Sequence, residues 1–277
     1  MRSAARSAWL ARLEQPGCLP NLPLNKDPMT ILRKLLLASA LGAPFGIAIA
    51  AAAMPAAVVA PAMSYSAQHT ALLIVDPYND FMTEGGKLYA AIKPTADASG
   101  MFNNLRKIIP AARAARMQVF VLPHHQSSPD GDDYTGWEHI NLFQAKNLPL
   151  KAFEVGSWGA QFNPEFGPRP GDIVIRQHFA QSGFANTDLD FQLKQHGITH
   201  IILVGLIANS CIESTARYGM ELGYHVTIVP DAAAAFNPEG MVAAAVNAPM
   251  FAHAITNTDD LLRQFPAAGQ PRSGLPK

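Results

Sequence analysis

The chain carries little cysteine, no excess of either charge and none of the common phosphate-binding motifs, and each shortage removes a class of function. Lysine plus arginine and aspartate plus glutamate balance at 21 each, so no net field draws the chain to nucleic acid or to an anionic membrane surface. No Gly-x-Gly-x-x-Gly follows an apolar run and no Gly-Lys-Ser/Thr occurs, so dinucleotide and nucleotide sites lack their phosphate cradle and no cofactor is implied. A Gly-x-Ser-x-Gly elbow for a serine hydrolase is also missing. The two cysteines, Cys18 and Cys211, form no Cys-x-x-Cys pair, which counts against a dithiol redox role. A small molecule is the partner these absences leave, and 49% hydrophobic residues suffice for one large core.

The N-terminal quarter differs from the rest. Arg33-Lys34 precedes a run from Leu35 to Met63 without a charge, containing Ala48-Ile-Ala50 and Ala50-Ala-Ala52. A basic start, an apolar stretch and Ala-x-Ala sites describe a secretory signal peptide, with Met29 as its start and a periplasmic or secreted mature protein. An uncleaved anchor is the alternative, since about 20 apolar residues span a bilayer; Gly42, Pro44, Gly46 and Pro55 interrupt the stretch. The expected organisation is an extension and signal peptide over 1–63, one domain over 64–266 and a flexible tail over 267–277. Cleavage removes Cys18 and any membrane segment, leaving Cys211 without an intramolecular disulfide partner.

From residue 70 onward short apolar runs alternate with helical patterns. Runs 70–75, 118–122, 172–175, 200–204 and 225–229 read as strands buried on both faces, with 253–256 a weaker sixth. Helices are expected over 101–115, 187–196 with Thr187 as N-cap, 211–222 and 238–247, two of them stopped by Gly197 and Gly223. Such alternation gives a three-layer αβα fold around a six-stranded parallel, Rossmann-like sheet. Ligands bind such sheets beyond the carboxyl ends of the strands. Asp76 follows the first strand, His178 the third and Cys211 the fourth. The long segment 123–171, rich in Pro, Gly and Asp, reads as a lid, a binding loop or a subunit contact.

A cysteine hydrolase needs a thiolate, a group that takes and returns a proton, and donors for an oxyanion. Cys211 at a helix start faces unpaired N–H groups and the positive end of a helix dipole, which favour thiolate. Asp76 can take the proton, and the Ile207 and Cys211 N–H groups can hold the oxyanion. The competing reading of Cys211 is a buried, inert thiol. For Asp76 it is a cap or turn former, the part assigned to Asp80 and Asp231.

Three blocks resemble the isochorismatase-like cysteine hydrolases, over roughly residues 69–262: 72–81, with Asp76-Pro-Tyr-Asn-Asp-Phe81; 182–190, with Ser182-Gly-Phe184; and 205–216 around Asn209-Ser-Cys211, with Val229-Pro-Asp-Ala232 beyond. The resemblance implies that Asp76 is the catalytic aspartate, that Cys211 is the nucleophile, and that a cis peptide between Leu206 and Ile207 aims an N–H into the oxyanion hole. It further implies a homo-oligomer. One departure stands out: the family normally has a lysine four residues before the serine of its Ser-x-Phe element, and this chain has His178 there. Lysine is a permanent cation, whereas an ordinary histidine charges only below about pH 6.5. His178 either replaces lysine as partner of Asp76, with Arg176 as a nearby fixed charge, or is structural in a protein that lost catalysis.

Phe81, Trp137 and Phe184 are the candidate substrate-binding aromatics. His124, His125 and His139 invite a metal reading, but no Asp-x-His element follows the second strand and no metal is assigned. The implied activity is hydrolysis of a small amide or ureide through a thioester by an exported enzyme. The alternative is a periplasmic binding or assembly protein on the same scaffold.

Overall fold

The computed structural model describes residues 65–130 and 137–267, which belong to one compact unit. The signal-like run, Met29, Cys18 and all but the first residue of the 267–277 tail lie outside the described residues. Among the described residues no helix is long and apolar enough to cross a membrane.

Six parallel strands form one sheet: β1 (Thr70–Val75), β2 (Gln118–Leu122), β3 (Ile173–Val174), β4 (His200–Leu206), β5 (His225–Ala234) and β6 (Ala254–Ile255). Their order is β3-β2-β1-β4-β5-β6. β1 and β2 are buried along their whole length, as continuous apolar runs require when both faces are covered. The two edge strands are shorter than their apolar runs suggest, with Val174 and Ile255 about half exposed. Short edges offer little template for a foreign strand.

The helices are α1 (Asn79–Met82), α2 (Tyr89–Ser99), α3 (Met101–Ala114), α4 (Leu142–Asn147), α5 (Leu189–Gln195), α6 (Glu213–Glu221), α7 (Pro238–Asn247) and α8 (Thr258–Arg263). α2, α3 and α8 pack together on the sheet, α6 packs on β5, and α5 buries Leu189 and Leu193; helices and parallel sheet together match a three-layer fold. Two helix starts differ from expectation. Asp188 rather than Thr187 occupies the N-cap of α5, and the Thr187 hydroxyl accepts the Leu189 N–H instead (3.2 Å). The helix expected from Cys211 begins at Glu213, after a π-helical turn over Ala208–Ile212 that holds Cys211.

Chain order places the site. The strands run outward from β1 to β3, then return to lay β4 on the other side of β1, so β1 and β4 flank the point where direction reverses. At their carboxyl ends Val75 pairs with Gly205. Gly205 has φ +109°, and a Cβ there would lie 2.4 Å from the Val75 carbonyl oxygen. Only glycine lets the two backbones approach this closely, and the approach sets Asp76 beside the 207–211 turn.

Candidate active site

Asp76 directly follows β1 in a left-handed conformation, φ 55°, with its N–H bonded to Leu122 O (2.9 Å). Its side chain is fully buried. Oδ1 lies 3.0 Å from Nε2 of His178, which is also fully buried. His178 is held by its backbone: its N–H bonds Pro123 O (3.0 Å) and its carbonyl accepts from His125 N–H (2.8 Å). The block after it docks onto α6. Gly183 N–H bonds the Thr215 hydroxyl (2.8 Å), and a Cβ on Gly183 would meet Leu122 at 2.6 Å. The Ser-Gly-Phe element therefore anchors the segment that carries His178.

Cys211 completes the cluster. Donor atoms of Asp76, His178 and Cys211 all lie within 4.8 Å of one another. The Leu206–Ile207 peptide is cis, and the Ile207 N–H points at the Cys211 sulfur. Burial pushes the thiol well above its usual range, and the Asp76 carboxylate raises it further; Ser210 and the Ile207 N–H pull the other way without offsetting this. The expectation of a resting thiolate is therefore corrected. A helix start counts for a fraction of a charge, and here burial beside a carboxylate outweighs it. At rest Cys211 is a neutral thiol beside the Asp76 carboxylate.

A pocket opens above the sulfur, with Cys211 and Ile207 at its floor and Phe81, Phe143, Phe153 and Phe236 in its wall. Asp76 and His178 sit behind Cys211, out of solvent. The Phe81 ring packs 4.8 Å from Phe153 and 6.3 Å from Phe236. His124 and His125 line the same pocket. Burial holds the His124 imidazole below the usual histidine range, against the pull of Asp76, so the ring is neutral there. His139, by contrast, is solvent-exposed beside Glu138, and no metal group among the described residues includes these three histidines.

Three expected neighbours stand elsewhere. Phe184 is buried in the helical layer, its ring 5.8 Å from Tyr218 and 5.7 Å from Tyr224, and does not line the pocket. Its place in the Ser-Gly-Phe block reflects packing on α6. Trp137 lies outside the pocket wall, its ring tilted against Phe179 at 6.1 Å. Arg176 is exposed, and its N–H bonds the Asp188 carboxylate (2.8 Å), so it supplies no charge to the cluster.

The isochorismatase domain pattern matches residues 70–259. The chain belongs to the isochorismatase-like hydrolase superfamily. A ureidoacrylate amidohydrolase of Variovorax paradoxus is 30% identical over 227 residues, 77% of this chain and 90% of that one. Another from Pseudomonas syringae pv. syringae is 30% identical over 73% of this chain and 86% of its own length. Among solved structures, a cysteine hydrolase from Pseudomonas syringae pv. phaseolicola aligns with TM-score 0.60 and 26% identity, covering 73% of this chain and 95% of that chain. N-carbamoylsarcosine amidase from Thermoplasma acidophilum aligns with TM-score 0.52 and 26% identity, over 69% and 97%.

Phe143, Phe153 and Phe236, with Lys151 at the rim, have no sequence signal of their own. The first two and Lys151 come from the long 123–171 segment, and Phe236 from the turn before α7. Asp80 explains how that segment is held. Its carboxylate accepts the N–H groups of Lys87 (2.9 Å) and Phe153 (2.7 Å). Gly159 packs so closely on it that a Cβ would lie 2.3 Å from Oδ1.

Proposed function

We propose that this hydrolase cleaves a C–N bond in a small amide or ureide bearing an apolar or aromatic group, through a thioester on Cys211. The observation that carries the reading is the Cys211 thiol at the floor of an aromatic pocket, beside the buried Asp76 carboxylate and under the Ile207 N–H. The amide carbonyl lies over the sulfur, with its oxygen toward the N–H groups of Ile207 and Cys211. Asp76 accepts the thiol proton as sulfur attacks, so the thiolate forms only as a bond to carbon replaces it. The oxyanion collapses, the C–N bond breaks, and Asp76 returns the proton to the departing nitrogen. Water then attacks the thioester, Asp76 takes its proton, and the proton passes to sulfur as the acid leaves.

In this mechanism His178 is a positioning residue: its Nε2 holds Oδ1 of Asp76 and leaves Oδ2 for the thiol. The names of the relatives, ureidoacrylate amidohydrolase and N-carbamoylsarcosine amidase, support a ureide or N-carbamoyl compound, and the phenylalanine wall supports an apolar group beyond it. The test is ammonia release from a panel of primary amides, ureido acids and N-carbamoyl compounds. At least one should turn over, and Cys211→Ala should lower the rate by at least ~10³-fold with unchanged circular dichroism. Undiminished turnover in Cys211→Ala rejects the thioester route.

A further inference from the structure

Position 178 decides what kind of donor faces Asp76. A protonated lysine offers N–H groups and no lone pair, whereas a neutral imidazole has one nitrogen lone pair and is the commonest metal ligand among side chains. With histidine there, the cluster presents nitrogen, oxygen and sulfur donors mutually within 4.8 Å, on three buried residues. Among the described residues this is the one such group of three. Two of its atoms, Asp76 Oδ2 and His178 Nδ1, are buried without a hydrogen-bond partner. An unsatisfied buried polar atom costs on the order of 1–3 kcal/mol, so the cluster is short of partners.

We propose that Asp76, His178 and Cys211 form a binding site for a zinc-class divalent cation, and that its occupation takes the nucleophile out of action. The donor set is the mixed sulfur, nitrogen and carboxylate set that zinc favours, with bonds of about 2.0–2.3 Å. Tetrahedral bonds of that length space the donors roughly 3.3–3.8 Å apart, so side-chain rotation draws the widest pair in by about an ångström. The cation takes the place of the proton between Nε2 and Oδ1, and that proton moves to Nδ1 within the imidazole. The thiol proton leaves to solvent as the sulfur–metal bond forms. A dication, a thiolate and a carboxylate sum to zero charge, which suits a buried site. Of the three ligands only Cys211 also lines the pocket, so a water or a substrate oxygen would complete the shell from the sulfur's side. Donation to the cation lowers the nucleophilicity of the sulfur and holds it among its ligands, so metal and substrate compete for it.

The loss of the nucleophile rests on the hydrolytic reading, whereas the binding site does not, and its test needs no substrate. Metal-free protein titrated with Co²⁺ should bind one ion at the cluster, with a near-ultraviolet sulfur-to-cobalt band and the visible bands of a four-coordinate site, all displaced by Zn²⁺. Cys211→Ser should lose the sulfur band. His178→Lys, which keeps an N–H donor for Asp76, should bind at least tenfold more weakly, since even changes in outer-shell partners cost about 10–100-fold. His253→Ala, at the opposite end of the sheet, removes an exposed histidine and should leave the band unchanged. Absence of the sulfur band in the wild type, or its persistence at full strength in His178→Lys, overturns the proposal.

Discussion

Cys211 shows how a single side chain is set by competing fields. A helix start favours its thiolate, but burial and the neighbouring Asp76 carboxylate favour the thiol more strongly, and the thiol wins at rest. This yields a crossed prediction. Iodoacetamide should modify wild-type Cys211 more slowly than a free thiol at pH 8. Asp76→Asn removes the negative charge that raises the thiol, so alkylation should quicken by several-fold while amide turnover falls by at least ~10²-fold. If both rates fall together in that variant, Asp76 does not act on the thiol electrostatically. The positions of Asp76 and Cys211 were legible because each follows an apolar run at a strand end. The protonation state was not, since it depends on how much water the finished fold excludes.

At the scale of elements, strands read more clearly than loops. The runs at 70–75 and 118–122 appear with the same limits in the structure, because a strand buried on both faces is apolar at every position. α2 escaped notice because Pro94 lies inside it and its apolar stripe is weak. Phe184 and Trp137 stand outside the pocket wall, a placement the chain does not reveal because an aromatic in a sequence shows its size and not its neighbours. The pocket wall depends on a connection between elements: Asp80, beginning in α1, holds the Phe153 N–H across 73 residues. Asp80→Asn turns an amide NH₂ toward one of the two N–H groups that the carboxylate holds, and should cost about 1–3 kcal/mol. A lower urea midpoint with a raised KM is expected. An unchanged KM would separate the Asp80 clamp from the pocket.

Across the whole molecule, the two ends of the sheet carry different chemistry. The carboxyl ends hold the cysteine cluster; at the amino ends, His200 and His225 open β4 and β5 with His253 just before β6. Their rings stand 4.8 Å and 4.2 Å apart along the row. Burial first, then neighbouring histidines, hold His200 and His225 below the ordinary histidine value. The folded state resists protons that the unfolded chain accepts, so this contribution is complete above about pH 6.5. It is lost as pH falls through that value. The urea midpoint should therefore drop between pH 7.5 and 5.5, and His225→Phe should flatten the drop. Equal midpoints at both pH values in the wild type would refute this. Asp188 and Asp190, lowered from 3.8, act in a separate window at more acid pH.

The linear order of residues determined the parallel sheet, the strand ends at which chemistry collects, and the pairing of a cysteine with an aspartate. These follow from periodicity and from the restricted handedness of strand crossovers, which act along the chain. The contact of His178 with Asp76 was one of two readings the chain left open, and tertiary structure chose it; tertiary structure alone decided that Arg176 turns to solvent, that Phe153 and Phe236 rather than Phe184 face the thiol, and that the thiol keeps its proton. Each of these depends on distances between segments far apart in the chain and on the water they displace, quantities that come into being only when the layers close.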